Sequence, residues 1–113
     1  MAVTKKRLFG PAQLGASTAT KYTVPALTKT VIRQIEISNP SASPVTVTIS
    51  IGADAAGTRL RDAFSIPAAA AGVSASVLTL NVFWVLDAAE ILAAHSSVTT
   101  TVMAIFGEEI TLG

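Results

Sequence analysis

Residues 45–51, VTVTISI, alternate strictly between branched apolar side chains and hydroxyl side chains. Side chains alternate across a β-strand, so a period of two places one class of residue on each face. This pattern is typical of a strand that is buried on one side. We therefore predict a strand here, with the side chains of Val45, Val47, Ile49 and Ile51 facing the core and Thr and Ser facing outward.

Proline and glycine interrupt the chain at short intervals, and the runs between them are rich in Thr, Val and Ile. Such runs favour short strands joined by turns. We predict an all-β fold, a single antiparallel β-sandwich that is jelly-roll-like (19–113), preceded by an extended N-terminal arm (1–18). The predicted strands are 19–24, 29–38, 45–51, 60–66, 73–80, 82–86, 91–94 and 98–106, with a further edge strand at 108–112.

The segment 86–97, LDAAEILAAHSS, is the one place where composition favours a helix. It is about three turns long and lies between two strong strand patterns, so we predict a turn followed by the short strand 91–94. No helix longer than about two turns is expected anywhere in the chain.

Charged residues make up 13% of the 113 residues, against roughly 25% in an ordinary soluble domain, while hydrophobic residues make up 50%. Two interpretations fit this composition. The chain is either a compact domain with a surface of Thr and Ser, or a subunit whose surface is largely covered by partners. Sparse charge is a poor way to keep a free monomer soluble, so we favour the subunit.

Two runs, VFWVL (82–86) and VMAIF (102–106), are apolar on both faces of the predicted strands. One face of each sheet in a free sandwich meets water, so the outer face of these strands needs a cover. The cover is either the chain's own arm and loops or a subunit interface in a symmetric homo-oligomer, for which we expect a trimer. The predicted interface residues are Phe83, Val85, Met103 and Ile105. The predicted core residues in these runs are Trp84, Val102 and Ala104.

Charge is distributed unevenly, although the net charge is only +1. Six cationic residues precede the first acid, Glu36, and no Lys or Arg follows Arg61. This asymmetry is either chance in a short chain or the basis of head-to-tail pairing between subunits. We expect the basic cluster of Lys5, Lys6 and Arg7 to contact an acidic surface on a neighbouring protein.

No residue set in the chain predicts catalysis, a cofactor site or a metal site. The spacing of Gly52 and Gly57 matches a phosphate loop, but no lysine and no helix follow, which indicates a turn. His95 is the only histidine, there is no cysteine, and the adjacent Glu108 and Glu109 would point to opposite faces of a strand. We expect His95 to be a surface or loop residue, and the two glutamates to lie in a solvated tail.

Other binding partners have little support in the sequence. No apolar run approaches the ~18 residues of a membrane helix. The basic cluster has only Phe9 near it, without the aromatic array that stacks nucleic-acid bases, so nucleic acid is not expected. Glycan binding would need exposed aromatic side chains; Tyr22, Phe83 and Trp84 are the candidates, and the alternation around Trp84 predicts that it lies in the core.

The order of turns and apolar positions resembles a small β-sandwich module of tail-region and other virion proteins of long-tailed bacteriophages. The resemblance rests on YTVPA, on a strand ending in an asparagine turn, on an alternating strand leading into IGADAA, and on SIPA. It continues in a strand ending in leucine and in a last strand ending in Gly-Glu. These features lie at residues 22–26, 35–39, 45–55, 65–68, 85–86 and 107–108. Where the module often has Gly-Asp after the leucine, this chain has Asp-Ala-Ala-Glu.

The resemblance implies a non-enzymatic structural protein of a phage virion, assembled in the cytoplasm of a bacterial host. A minor tail or tail-tip component is the first expectation, and a capsid decoration protein is the nearest alternative. A receptor-binding or glycan-binding adhesin module is an alternative of a different class. The expected partners are further copies of the chain and other virion proteins.

Overall fold

The computed structural model describes residues 2–69, 72 and 75–112, and within them it contains eight β-strands and no helix. The strands alternate with tight turns, as the punctuation by proline and glycine predicts. The strands are β1 (Ala2–Gln13), β2 (Ala19–Thr23), β3 (Thr28–Asn39), β4 (Val45–Ile51), β5 (Arg59–Ile66), β6 (Ser76–Leu86), β7 (Ile91–Ser96) and β8 (Val102–Thr111).

The strands form two antiparallel sheets of four. Sheet A has the order β1-β8-β3-β6, and sheet B has the order β2-β7-β4-β5. Consecutive strands therefore lie mostly in different sheets, and the chain winds around the sandwich as in a jelly roll. The predicted all-β sandwich is confirmed.

The core lies between the two sheets and consists mainly of Ile, Val and Leu. In sheet A, Ile35 is the register partner of Leu80 and of Ile105, so side chains from three strands meet in one layer. In sheet B, Val45, Val47 and Ile49 are fully or almost fully buried, which confirms the inward face predicted for β4. Its outward face differs in part: Thr48 and Ser50 are also buried, and Thr48 Oγ1 accepts a hydrogen bond from the Ala63 amide at 3.0 Å.

Met103 and Ile105 are core residues, so their prediction as interface residues is wrong. Both side chains are completely buried in the core cluster. The register of β8 explains the difference, because Met103 pairs with Ile37 and Ile105 with Ile35, both of which point inward. Val102 and Ala104, which were predicted for the core, alternate with these residues and lie towards the outer face. Ala104 is still largely buried there, with only 9% of its surface exposed.

Residues 2–18 belong to the sandwich and do not form the predicted arm. Ala2–Gln13 is strand β1, which pairs antiparallel with β8 along its whole length at the edge of sheet A. The chain then re-enters the core at Leu14, which is fully buried and whose amide donates to the Thr101 carbonyl at 2.7 Å. The turn signals at Gly10 and Pro11 correspond to shifts in the β1–β8 register.

Other boundaries also differ from the prediction. β6 runs without a break through Asn81, and β8 joins two segments predicted as separate strands. The first residues predicted for the sixth strand, 73–74, lie outside the described residues. The segment 91–96 is a strand, as predicted in preference to a helix.

A buried asparagine fixes the turn after β3. Asn39 Nδ2 donates to the carbonyl oxygens of Ser43 at 3.0 Å and Pro67 at 2.9 Å, while its Oδ1 accepts from the Ser41 amide at 2.9 Å. The side chain is fully buried and ties the β3–β4 turn to the end of β5. This is the asparagine turn that carries part of the resemblance described above.

A polar cluster links the two sheets. Tyr22, on β2 of sheet B, donates its hydroxyl hydrogen to Glu109 on β8 of sheet A, and the same hydroxyl lies 2.8 Å from Thr30 Oγ1. Lys6 Nζ lies 3.1 Å from Glu109 Oε1. Burial and the hydrogen bond to Glu109 raise the pKa of Tyr22 to about 12. Burial opposes ionisation of Glu109, but the hydrogen bond from Tyr22 and the ion pair with Lys6 outweigh it and hold the pKa of that carboxyl below its usual range.

Candidate interaction surface

The outer face of β6 carries a row of exposed apolar side chains. β6 alternates regularly between inward and outward residues, so every second side chain points to solvent. Val77, Phe83 and Val85 lie on this outer face, with 56%, 63% and 51% of their surface exposed, and the polar Thr79 and Asn81 lie between Val77 and Phe83. Trp84, between Phe83 and Val85, packs against the core, as predicted.

An ion pair lies beside this row on the neighbouring strands. Arg33, on β3, donates from Nε to Glu108 Oε1 on β8 at 2.9 Å. Its guanidinium also lies 4.8 Å from the centroid of the Phe83 ring, which is a favourable cation–π distance. Arg33 thus connects the charged part of the outer face to the apolar row.

Lys5 extends the charged part to the opposite edge of the sheet. Lys5 lies on β1 and is the register partner of Glu108 on β8. A depression of about 490 Å³ lies in this region and is lined by Lys5, Lys6, Arg33, Gln34, Phe106, Gly107 and Glu108. Its lining contains three cations and a single acid, so its charged groups could contact an acidic partner.

The predicted interface residues fall into three groups. Phe83 and Val85 lie together on the outer face of β6, whereas Met103 and Ile105 lie in the core. Lys5, Lys6 and Arg7 lie on β1, at the far edge of the same sheet. The sequence analysis missed Val77, Arg33 and Glu108; the alternation that begins at Val77 was the available signal for the first.

The remaining polar clusters support loops. Thr18 Oγ1 lies 2.8 Å from His95 Nδ1 and 3.1 Å from Asp54 Oδ2, and Arg59 Nε donates to Asp54 Oδ1 at 2.6 Å. The hydrogen bond from Arg59 lowers the pKa of Asp54 despite some opposing desolvation. His95 was expected at a surface or loop position. It lies in strand β7, and its side chain is 26% exposed. His95 Nδ1 lies 4.0 Å from Asp54 Oδ2, beyond hydrogen-bond distance, and the Thr18 hydroxyl contacts both groups.

Two further sequence predictions concern possible chemistry. Gly52 and Gly57 lie in the turn between β4 and β5, as predicted. Glu108 and Glu109 point to opposite faces of β8, also as predicted, since Glu108 pairs with Arg33 and Glu109 with Tyr22. The predicted solvated tail is wrong, because both residues belong to a paired strand and Glu109 is only 14% exposed.

Among residues 2–69, 72 and 75–112, no cluster of three or more His, Cys, Asp or Glu side chains is arranged to hold a metal ion. No helix in that part of the chain is long and apolar enough to cross a membrane.

Comparison with known proteins gives a match at the level of structure. No protein-family model matches the chain, and no curated protein matches it by sequence. A chain in the structure of infectious bursal disease virus, Gx strain, is 13% identical with a TM-score of 0.54, and the match covers 99% of this chain and 33% of that chain. This chain therefore spans about a third of the length of that viral chain.

Two further solved structures match more loosely. A protein of Bacillus endospore appendages, described as disulfide-linked pili, is 12% identical over 98% of this chain and 89% of that chain, with a TM-score of 0.49. A chain of the cyanophage Pam1 capsid asymmetric unit is 12% identical over 97% of this chain and 84% of that chain, with a TM-score of 0.41. The likeness to the chain of infectious bursal disease virus establishes a shared sandwich fold.

Proposed function

We propose that this chain is a non-enzymatic structural subunit of a bacteriophage virion, a minor tail or tail-tip component that assembles as a symmetric homo-oligomer. It acts through surface contacts with further copies and with other virion proteins. Its proposed location is the virion.

The observation that carries the proposal is the apolar row on β6. Val77, Phe83 and Val85 are each more than half exposed on one strand, in a chain where only 13% of residues are charged. Phe83 and Val85 are neighbours on this face, and an exposed apolar patch rimmed by polar residues supports a protein–protein contact. Closed symmetry is the usual means by which identical subunits bury such a surface.

Two further observations agree with a virion role. The fold is an eight-stranded jelly roll, an architecture that recurs in viral capsid domains and also in lectins and cupins. The turn pattern resembles virion modules of long-tailed phages, and the buried Asn39 occupies one of those turns. The fold alone is shared by too many functions to decide between them, so the apolar row supports an assembling subunit and the turn pattern supports the virion as its setting.

A capsid decoration protein is the nearest alternative within the same class, and the two differ in their position on the particle. A tail component forms a ring of a few copies around the tail axis, whereas a decoration protein occurs in many copies on the shell. A glycan-binding adhesin is less well supported, because Phe83 is the one candidate aromatic that is strongly exposed, while Trp84 packs on the core.

The proposal is tested by quantitative mass spectrometry of gradient-purified particles from cells in which the genome encoding this chain is induced. We expect the chain to co-purify with the particles at a fixed ratio to the major capsid protein, and a low ratio identifies a tail component. A ratio close to that of the capsid protein would instead identify a decoration protein. If the chain stays in the soluble fraction while the capsid protein is recovered, the proposed virion role is wrong.

A further inference from the structure

The four strands at the edges of the two sheets differ in how they are protected against pairing with another strand. Edge strands expose unpaired backbone groups, and proteins usually guard them with charges, proline, bulges or short length. β1 carries Lys5, Lys6, Arg7 and Pro11 and has two register shifts.

The edges of sheet B are guarded as well. β2 has five residues, including Lys21, and a register shift. β5 carries Arg59, Arg61 and Asp62, and its Ala63 has a positive φ of 49° beside a register shift. Each of these strands therefore resists the addition of a further strand.

β6 lacks most of these protections. It is 11 residues long, from Ser76 to Leu86, and contains no charged residue, no proline and no glycine. Its pairing with β3 shifts once, between Asn81 and Trp84, where β6 has one residue more than β3 and therefore one bulge. Its alternation between inward and outward side chains is unbroken from Val77 to Leu86. β3 occupies one edge of β6, and no other strand among the described residues pairs with the second edge.

We propose that a second copy of this chain occupies the open edge of β6, through antiparallel pairing of β6 with β6 about a twofold axis at Asn81. The inference deepens the proposed function, because it rests on the chain being an assembling subunit and names the contact. The two A sheets then form one continuous sheet of eight strands. The resulting particle is a dimer, in contrast to the trimer expected from the sequence.

The sequence of β6 is self-complementary in this register. The stretch VLTLNVFWV (77–85) is nearly symmetric in its polarity about Asn81. Antiparallel pairing centred there places Val77 opposite Val85 of the second copy, and Thr79 opposite Phe83, on the outer face. On the inner face, apolar residues meet apolar residues throughout the pairing. Nine paired residues on each strand provide about eight to ten intersubunit backbone hydrogen bonds, since antiparallel pairs alternate between bonded and non-bonded positions.

Charge complementarity supports a second copy as the occupant. Glu36, the register partner of Thr79, is exposed and forms no salt bridge with any other described residue. In the proposed register, Thr79 faces Phe83 of the second copy, over which that copy's Arg33 lies. Each Glu36 then lies on the same face as the Arg33 of the other copy, three strand spacings or about 14 Å away between Cα atoms, and the twofold axis generates this pair twice. Such an arrangement favours the stated register over slipped ones.

Cysteine cross-linking tests the register directly, because the chain contains no native cysteine. Asn81→Cys places two thiols opposite each other at the axis, within the Cα separation of about 4.4–6.8 Å that a disulfide requires. Thr79→Cys is the matched control on the same face, since two copies of residue 79 lie about 14 Å apart in this register. We expect mild oxidation to give a covalent dimer with Asn81→Cys and little with Thr79→Cys.

A charge exchange tests the contact without a covalent bond. Val77→Lys/Val85→Lys places lysine opposite lysine twice, and we expect it to weaken dimerisation at least about tenfold. Val77→Glu/Val85→Lys places glutamate opposite lysine and should restore the dimer at low salt. The two positions lie about 27 Å apart in one chain, so an intramolecular ion pair cannot account for the rescue. Leu27→Lys, at a loop position outside β6 that is 71% exposed, is the control and should leave the dimer intact.

Sedimentation velocity at micromolar concentration reads out the mass of each full-length variant. A wild-type particle of twice the chain mass of 11.6 kDa, together with the two patterns above, supports the inference. A monomer, a trimer, or equal cross-linking at residues 79 and 81 overturns it. A trimer or another oligomer that is found in purified particles would refute the β6 contact while leaving the proposed virion role in place.

Discussion

Tyr22→Phe removes one hydroxyl from the cluster that links the two sheets. The hydroxyl donates to the Glu109 carboxylate and contacts Thr30 Oγ1 at 2.8 Å. Phenylalanine keeps the ring in place, so the change isolates the polar contribution. Glu109, which is only 14% exposed, then retains Lys6 as its partner in the cluster.

The expected cost follows from these contacts. A hydrogen bond to a charged group contributes about 1.5–3 kcal/mol to the free energy of unfolding. The Lys6–Glu109 pair survives and the remaining carboxylate oxygen is near the surface, so part of the loss is recovered by water. We expect Tyr22→Phe to lower the free energy of unfolding by about 2 kcal/mol. Lys6→Met removes a bridge whose lysine is 45% exposed and should cost about 1 kcal/mol or less.

Urea denaturation at pH 7, followed by circular dichroism, measures both values. The design is completed by Glu109→Gln and by the double variant Tyr22→Phe/Glu109→Gln. Residues in direct contact usually show coupling of about 0.5–3 kcal/mol. If Tyr22→Phe costs less than about 0.5 kcal/mol, or if the two changes are additive, the cluster does not hold the sheets together and the reasoning is wrong.

Four further predictions concern single features. The lowered pKa of Glu109 contributes stability that is present above its unfolded pKa of about 4.3 and is lost as the pH falls through the folded value. The raised pKa of Tyr22 makes stability fall as the pH rises from about 10 to about 12. Melting curves measured against pH should show both losses of stability, and Tyr22→Phe should reduce the alkaline one. Ile49→Ala should cost about 2–5 kcal/mol in chemical denaturation, and comparable stability of Ile49→Ala and wild type would remove this residue from the core. Asn39→Ala should cost about 2–4 kcal/mol, because it leaves buried carbonyl groups unpaired, and a loss below 1 kcal/mol would show that the turn does not depend on the amide. Gly107→Ala should prevent folding, since its Cβ would collide with the Val31 carbonyl oxygen, and a variant that melts like wild type would show that the strands separate easily there.

The strands that were easiest to predict are those with one clear face. β4 has the predicted bounds because its apolar and hydroxyl residues alternate without a break and turn residues flank it. The inward positions of β4 were also predictable, since burial of one face produces that period. The burial of Thr48 was not, because it depends on a hydrogen bond to Ala63 in another strand.

The errors arose where a residue's position depends on its neighbours in space. A run that is apolar on both faces, such as 102–106, does not reveal which face is inward, and the register with β3 decides it. The pairing of β1 with β8 joins the two ends of the chain, and local signals such as Gly10 and Pro11 predict an arm equally well. The ion pair between Arg33 and Glu108 joins residues far apart in sequence and could not be found from spacing.

A cryo-electron microscopy reconstruction of the purified virion tests the central claim most directly. The account predicts density for the eight-stranded sandwich in a ring at the tail, with the open edge of β6 paired to β6 of a second copy and Phe83 beside Thr79 of that copy. Particles that lack this density, or a subunit whose β6 edge is unpaired, would contradict the account.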